Sequence, residues 1–196
     1  MFGKVVYMSK ISSFSDLKCY LLADMQQLNV ALNVFNILFD DIWRFQRNLR
    51  YAEYFTNSCS GLLGRILSLL YRYRARCLGR KLGFSVPVNV FGAGLAIAHA
   101  GTIVVNSHAR IGKNCRIHVC VNIGADVRNG DLAPQLGDNV YIGPGAKIYG
   151  DITIGSNVMI GANAVVNKSC EGDCTIAGVP AKVISENGTL DVRKLK

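Results

Sequence analysis

From about Pro87 onward the apolar residues of this chain recur every six positions. Leu136, Ile142, Ile148, Ile154, Ile160 and Val166 take the lead position of successive hexads. The fourth residue after each of the first five is Val140, Ala146, Ile152, Val158 or Ala164. Upstream of an interruption the same frame gives Val105, Ile111, Ile117 and Ile123, followed by Ala109, Cys115, Val121 and Val127. Glycine follows the lead residue at 112, 124, 137, 143, 155 and 161. Such a period predicts a solenoid in which each hexad is one short strand and a turn. A branched residue points into the shaft, a small one fits beside it, and Gly or Asn takes the corner. No coil buries its own apolar face, so neighbouring coils must stack and pair their strands.

Thirteen residues separate lead positions 123 and 136, two hexads plus one. The intervening ADVRNGDLAPQ carries Gly, Pro and charges and is expected to bulge out as a loop. Ahead of the solenoid, residues about 14 to 83 follow a helical period instead. SDLKCYLLADMQQL places Leu17, Tyr20, Leu21 and Leu28 on one side, with Ser15 or Asp16 as the expected cap. VALNVFNILFDDIWRFQRNLRYAEYF fits one long helix or two. GLLGRILSLLYRYRARCLGRKLG begins and ends in glycine and has a basic second half, in which Arg72, Arg74, Arg76, Arg80 and Lys81 follow Arg65. Arg65 interrupts its best apolar run, so no membrane span of about 18 residues is expected. The expected fold class is mainly β, a parallel β-helix with an N-terminal helical domain. Its expected domains are residues 1–83, 84–184 and a tail over 185–196.

Composition changes this picture little. Half of the 196 residues are hydrophobic and 18% are charged, which suits a globular chain. The formal net charge of +9 favours anionic partners without choosing among them. The seven cysteines, at 19, 59, 77, 115, 120, 170 and 174, show no pairing rule and no CxxC, and they read as reduced thiols. MFGKVVYMSKISSFSDLK has no apolar stretch long enough for a secretory signal, and Met8 is an alternative start. The expected location is cytoplasmic, at the inner face of the membrane if the basic helix meets an anionic carrier there. No nucleic-acid partner is expected.

The stretch GLAIAHAGTIVV raises a chemical question. Stepping the frame back from Val105 puts His99 in a slot that should hold an aliphatic residue. From the residues alone, His99 is a core imidazole, a frame slip at Gly101 and Thr102, or a group placed for chemistry. The last reading has a definite use. A hydroxyl becomes a good nucleophile only as its proton is removed, and an imidazole, with a pKa near ~6.5, can accept a proton at neutral pH and give it back.

The stretches AHAGTIVV, IGPGAKIYGDITIGSNVMIGANAVV and TIAGVPAKVI resemble the hexapeptide-repeat acyltransferases. Within them the resemblance is to the serine acetyltransferase-like branch, of the polysaccharide O-acetyltransferase type. It covers about residues 86–184, with a weaker likeness over LLADMQQL and Trp43 to Phe55. The resemblance implies that the fold is a left-handed parallel β-helix, and it implies homotrimers, acetyl-CoA as co-substrate in a groove between two subunits, and no metal. It makes His99 the catalytic base. Gly143, Pro144, Gly161 and Ala162 would line the pantetheine arm, with Asn167, Lys168 and Lys182 near the nucleotide end. His118, about one coil beyond His99, is a candidate substrate contact. Asp126 and Asp131 are candidates for contacting the substrate with it or for orienting the base. His108 falls elsewhere in the hexad, which argues against the three-histidine zinc site that some hexapeptide proteins build.

Three departures bear on the acceptor. Serine acetyltransferases carry Asp before the base, a second histidine in the loop before the next coil, and an Arg-Asp-Pro-Ala element in the helical half. Here those places read Ala98, Ala133 and NVALNV. An amino acid needs partners for both its charges, and burying either unpaired is costly. Members of this branch that lack those groups acetylate sugar hydroxyls in capsule, exopolysaccharide and O-antigen assembly, so the resemblance implies acetyl transfer to a hydroxyl of a glycan in surface polysaccharide synthesis. Serine O-acetylation and a non-catalytic trimer stand as the alternatives.

Overall fold

The computed structural model describes residues 10–31 and 34–194, so the alternative start at Met8 lies outside the described residues, as do two residues of NVALNV. Four helices come first, α1 (Phe14–Leu28), α2 (Val34–Phe39), α3 (Asp41–Ser58) and α4 (Gly61–Leu82). The cap of α1 is Ser13 and not Ser15 or Asp16 as the spacing suggested. Ser13 accepts from the Asp16 backbone while the Asp16 carboxylate accepts from Ser13, a reciprocal box that satisfies two otherwise orphaned donors. The long apolar stretch resolves into two helices because Asp40 caps the second, accepting from the Trp43 N–H at 2.9 Å.

The solenoid then winds through three parallel sheets in strict rotation. Strands β1 (Phe84–Ser85), β3 (Ile103–Val105), β6 (Val121–Gly124), β9 (Lys147–Tyr149) and β12 (Val165–Val166) form the first sheet. The second contains β4 (Arg110–Ile111), β7 (Gln135–Leu136) and β10 (Thr153–Ile154). The third stacks β2 (Ala96–Ile97), β5 (Arg116–Ile117), β8 (Tyr141–Ile142), β11 (Met159–Ile160) and β13 (Thr175–Gly178), with β14 (Ala181–Ser185) antiparallel at its end. This is the parallel β-helix expected from the repeat, of the left-handed class that the resemblance implied.

All ten lead residues from Val105 to Val166 are buried, and they stack in register, Ile117 on Ile142 on Ile160. Of the fourth-position residues, Val127 departs: it is 96% exposed, because the frame ends at Ile123 and the chain leaves the shaft. Corners are made by residues that tolerate the left-handed backbone. Asn114, Asn139, Asn157 and Asp173 all have φ near +58° and stack one per coil, with Asn114 donating to Asn139 at 3.0 Å and Asn157 to Asp173 at 2.6 Å.

The helices close the open end of the shaft. Phe45 and Leu49 join the same core as Phe91 and Ile97. Arg50 is fully buried between Asp24 and Glu53, at 2.8 and 2.9 Å, and donates to the carbonyls of Phe91 and Gly92. Asp24 accepts from the Gly94 and Leu95 N–H groups of the first coil, and Glu53 from that of Asn89. Burial alone would lower the Arg50 pKa, but the two carboxylates outweigh it and hold the guanidinium charged. Burial pushes Glu53 up against the opposing pull of Arg50. At the other end, α5 (Thr189–Lys194) docks on the last coils, where Thr189 donates to the Val158 carbonyl at 3.0 Å.

Candidate active site

The three sheets meet at three corners, and the candidate residues divide between two of them. His99 follows β2, at the corner between the third sheet and the first, and its side chain is exposed. The slot it was expected to fill belongs to Ile97, which is 1% exposed and pairs in register with Ile117. Twenty residues separate that pair where coils without the loop, such as Ile142 to Ile160, need eighteen, so the first corner contains two extra residues. That slip, centred on Gly101 and Thr102, lifts the imidazole out of the shaft. It leaves the ring at the rim and not in the core.

His118 lies on the same corner one coil further along, 5.9 Å from His99 between ring centroids. Its other face meets Tyr141 at 5.1 Å. The His118 backbone is held by the ladder, its N–H donating to the Ile142 carbonyl at 3.1 Å, while its buried Nε2 has no hydrogen-bond partner among the described residues. Partial burial lowers its pKa, and Arg116 and His99 add to the shift, so the ring favours the neutral form. Tyr141 and Arg116 were not anticipated; the signal was present, since each sits immediately before a lead isoleucine and they are in register across β5 and β8.

Further along this corner the side chains become small. Ala98, His118, Gly143, Gly161 and Ala177 form one row, each of the first four donating its N–H to the next coil at 2.8 to 3.1 Å. Pro144 and Ala162 form the adjoining row below His99, and both are exposed. The glycines have a structural reason to be there: a Cβ on Gly143 would stand 2.8 Å from the Ala162 nitrogen and the Ile160 carbonyl oxygen. Their N–H groups are committed to coil stacking, so they offer a ligand a smooth surface and not free donors. Lys182 lies opposite Ala177 on β14, at the end of the same row.

The remaining candidates occupy the corner between the first and second sheets. Asp126 is bound by Arg128 through both carboxylate oxygens, at 3.1 and 3.0 Å, and this partner pulls its pKa down to about 2. Asp131 lies 3.6 Å from His108. Asn167 and Lys168 follow β12 at that corner, both exposed, with Asn167 donating to the Tyr149 hydroxyl at 3.4 Å. Neither aspartate is brought to His99 of its own chain, because a residue after the first sheet and one after the third occupy different corners. Ala133, where a second histidine was noted missing, is buried at 3% exposure. Among the described residues no group of three or more His, Cys, Asp or Glu is placed to hold a metal ion.

Within the β-helix that carries His99 at its first corner, residues 133–168 match the model for the bacterial transferase hexapeptide (six repeats). More particularly, the chain is similar to serine acetyltransferases. It is 40% identical over 98 residues to the serine acetyltransferase of Synechococcus elongatus, a match covering 50% of this chain and 40% of that one. The serine acetyltransferase of Brucella abortus solved in complex with coenzyme A superposes with a TM-score of 0.70 at 26% identity, covering 89% of this chain and 68% of that one. The Neisseria gonorrhoeae enzyme in complex with serine gives 0.66 at 27%, covering 88% and 71%. The chain spans about half the length of the curated relatives it matches.

Proposed function

We propose that the protein is an acetyl-CoA-dependent O-acetyltransferase with His99 as general base. The observation carrying this reading is the exposed imidazole at the head of a corner lined by Pro144, Ala162 and the glycines. His99 would take the proton of an acceptor hydroxyl as its oxygen attacks the thioester carbonyl. As the tetrahedral intermediate collapses, the C–S bond breaks and the same proton passes to the coenzyme A sulfur. Such a base supplies about 10² to 10⁴ in rate, and holding both substrates supplies more. Coenzyme A and serine in the related structures support this chemistry. The division of candidates between two corners is reconciled by a homotrimer, in which Asp126, Asp131, Asn167 and Lys168 of one copy face His99 of the next.

For the acceptor, the relatives support serine. A second reading, a neutral sugar hydroxyl, rests on Ala98 and the buried Ala133, which leave no local partner for an amino acid's charges. Release of coenzyme A thiol, followed in parallel with serine, nucleotide sugars and a polysaccharide acceptor, separates the two. Release with serine alone supports the first, and release with a glycan alone the second. No release with any acceptor, and no effect of His99→Ala, would leave a non-catalytic trimer.

A further inference from the structure

Helix α4 packs the wrong way round for a soluble bundle. The face it buries against the rest of the molecule consists of Gly64, Ser68, Ala75, Gly79 and Leu82. Its large apolar residues point outward: Leu62, Leu63, Ile66, Leu69, Leu70 and Tyr73 are 45 to 77% exposed. At about 100° per residue these six fall within an arc of about 120°, a continuous stripe along the first half of the helix. The stripe is flanked by Arg65, Arg72 and Arg76 on one side and by Arg74 on the other. An exposed apolar stripe of this extent marks a contact surface.

Charge selects the occupant. The helix has six basic residues and no Asp or Glu, two thirds of the chain's formal +9. Among the described residues only Lys81 of these six is paired with a carboxylate, that of Asp41. A second copy of α4 laid on the stripe would set arginine rows against each other, which opposes self-pairing. No helix among the described residues is long and apolar enough to cross a membrane. A stripe of leucines bordered by arginines fits a lipid surface instead, with the leucines among the acyl chains and the guanidinium groups at phosphate level.

We infer that α4 is an interfacial helix that seats the protein on an anionic lipid bilayer. The inference stands apart from the acetyl-transfer reading, since it uses no residue of that site. The test is sedimentation of the full chain with phosphatidylcholine vesicles with and without phosphatidylglycerol, at low and high salt. Two variants accompany it, Ile66→Glu with Leu70→Glu, and Arg65→Gln with Arg72→Gln and Arg76→Gln. All five side chains are exposed, so both variants should keep the parent melting temperature.

The parent should bind the phosphatidylglycerol vesicles and be released by salt. Losing three arginines should weaken that binding about a hundredfold, and the two glutamates should abolish it. Absence of binding to the anionic vesicles at low salt would overturn the inference. So would binding that neither variant weakens, or lipid-free self-association that the glutamate variant abolishes.

Discussion

The imidazoles of His99 and His118 lie 5.9 Å apart on successive coils of one corner. His99 is exposed, whereas His118 is partly buried and burial lowers its pKa, favouring the neutral ring.

The base assignment is checked by His99→Ala, which should lower kcat by about 10² to 10⁴ while leaving the KM for acetyl-CoA close to the parent's. An unchanged kcat would remove His99 from the chemistry.

His118 should titrate below the ordinary imidazole value of about 6.5, visible in its ring proton shifts by NMR. With the folded pKa below the unfolded one, the unfolded chain binds more protons between the two. The stability due to neutral His118 is thus complete above about pH 6.5 and is lost as pH falls through the folded value. Arg116→Gln should move the midpoint upward, since its charge contributes to the depression. His118→Gln should flatten the acid side of the stability profile.

Breaking the buried ion cluster should be costly. Asp24→Ala leaves Arg50 with Glu53 alone and strips two first-coil N–H groups of their acceptor. A loss of about 3 to 5 kcal/mol is expected on chemical denaturation, as for removal of one partner from a buried pair. An effect below about 1 kcal/mol would mean that water replaces the carboxylate there.

The frame break at the loop gives a paired comparison. Ile123, 1% exposed inside the shaft, should cost about 2 to 5 kcal/mol as Ile123→Ala. Val127, four residues on and 96% exposed, should stay within about 0.5 kcal/mol as Val127→Ser.

Much of the architecture was determined by the sequence alone. A strict six-residue period cannot be buried by any local structure except a stacked coil, so the lead residues from Val105 to Val166 could be assigned to the shaft without coordinates. Asparagine at corners was likewise legible, as at Asn114, Asn139 and Asn157, whereas one helix or two stayed open until the Asp40 cap was seen. Tertiary structure decided the rest. A two-residue slip at the first corner moved His99 from the shaft to the rim and gave its slot to Ile97, which a fixed period counted backward does not reveal. The meeting of Asp24, Arg50 and Glu53 with the first coil joins residues from three separate segments, and the meeting of His118 with Tyr141 joins two. Periodicity specifies which way a residue faces within its own coil; which residues become neighbours depends on how many residues each corner holds, and small insertions there change every contact above them.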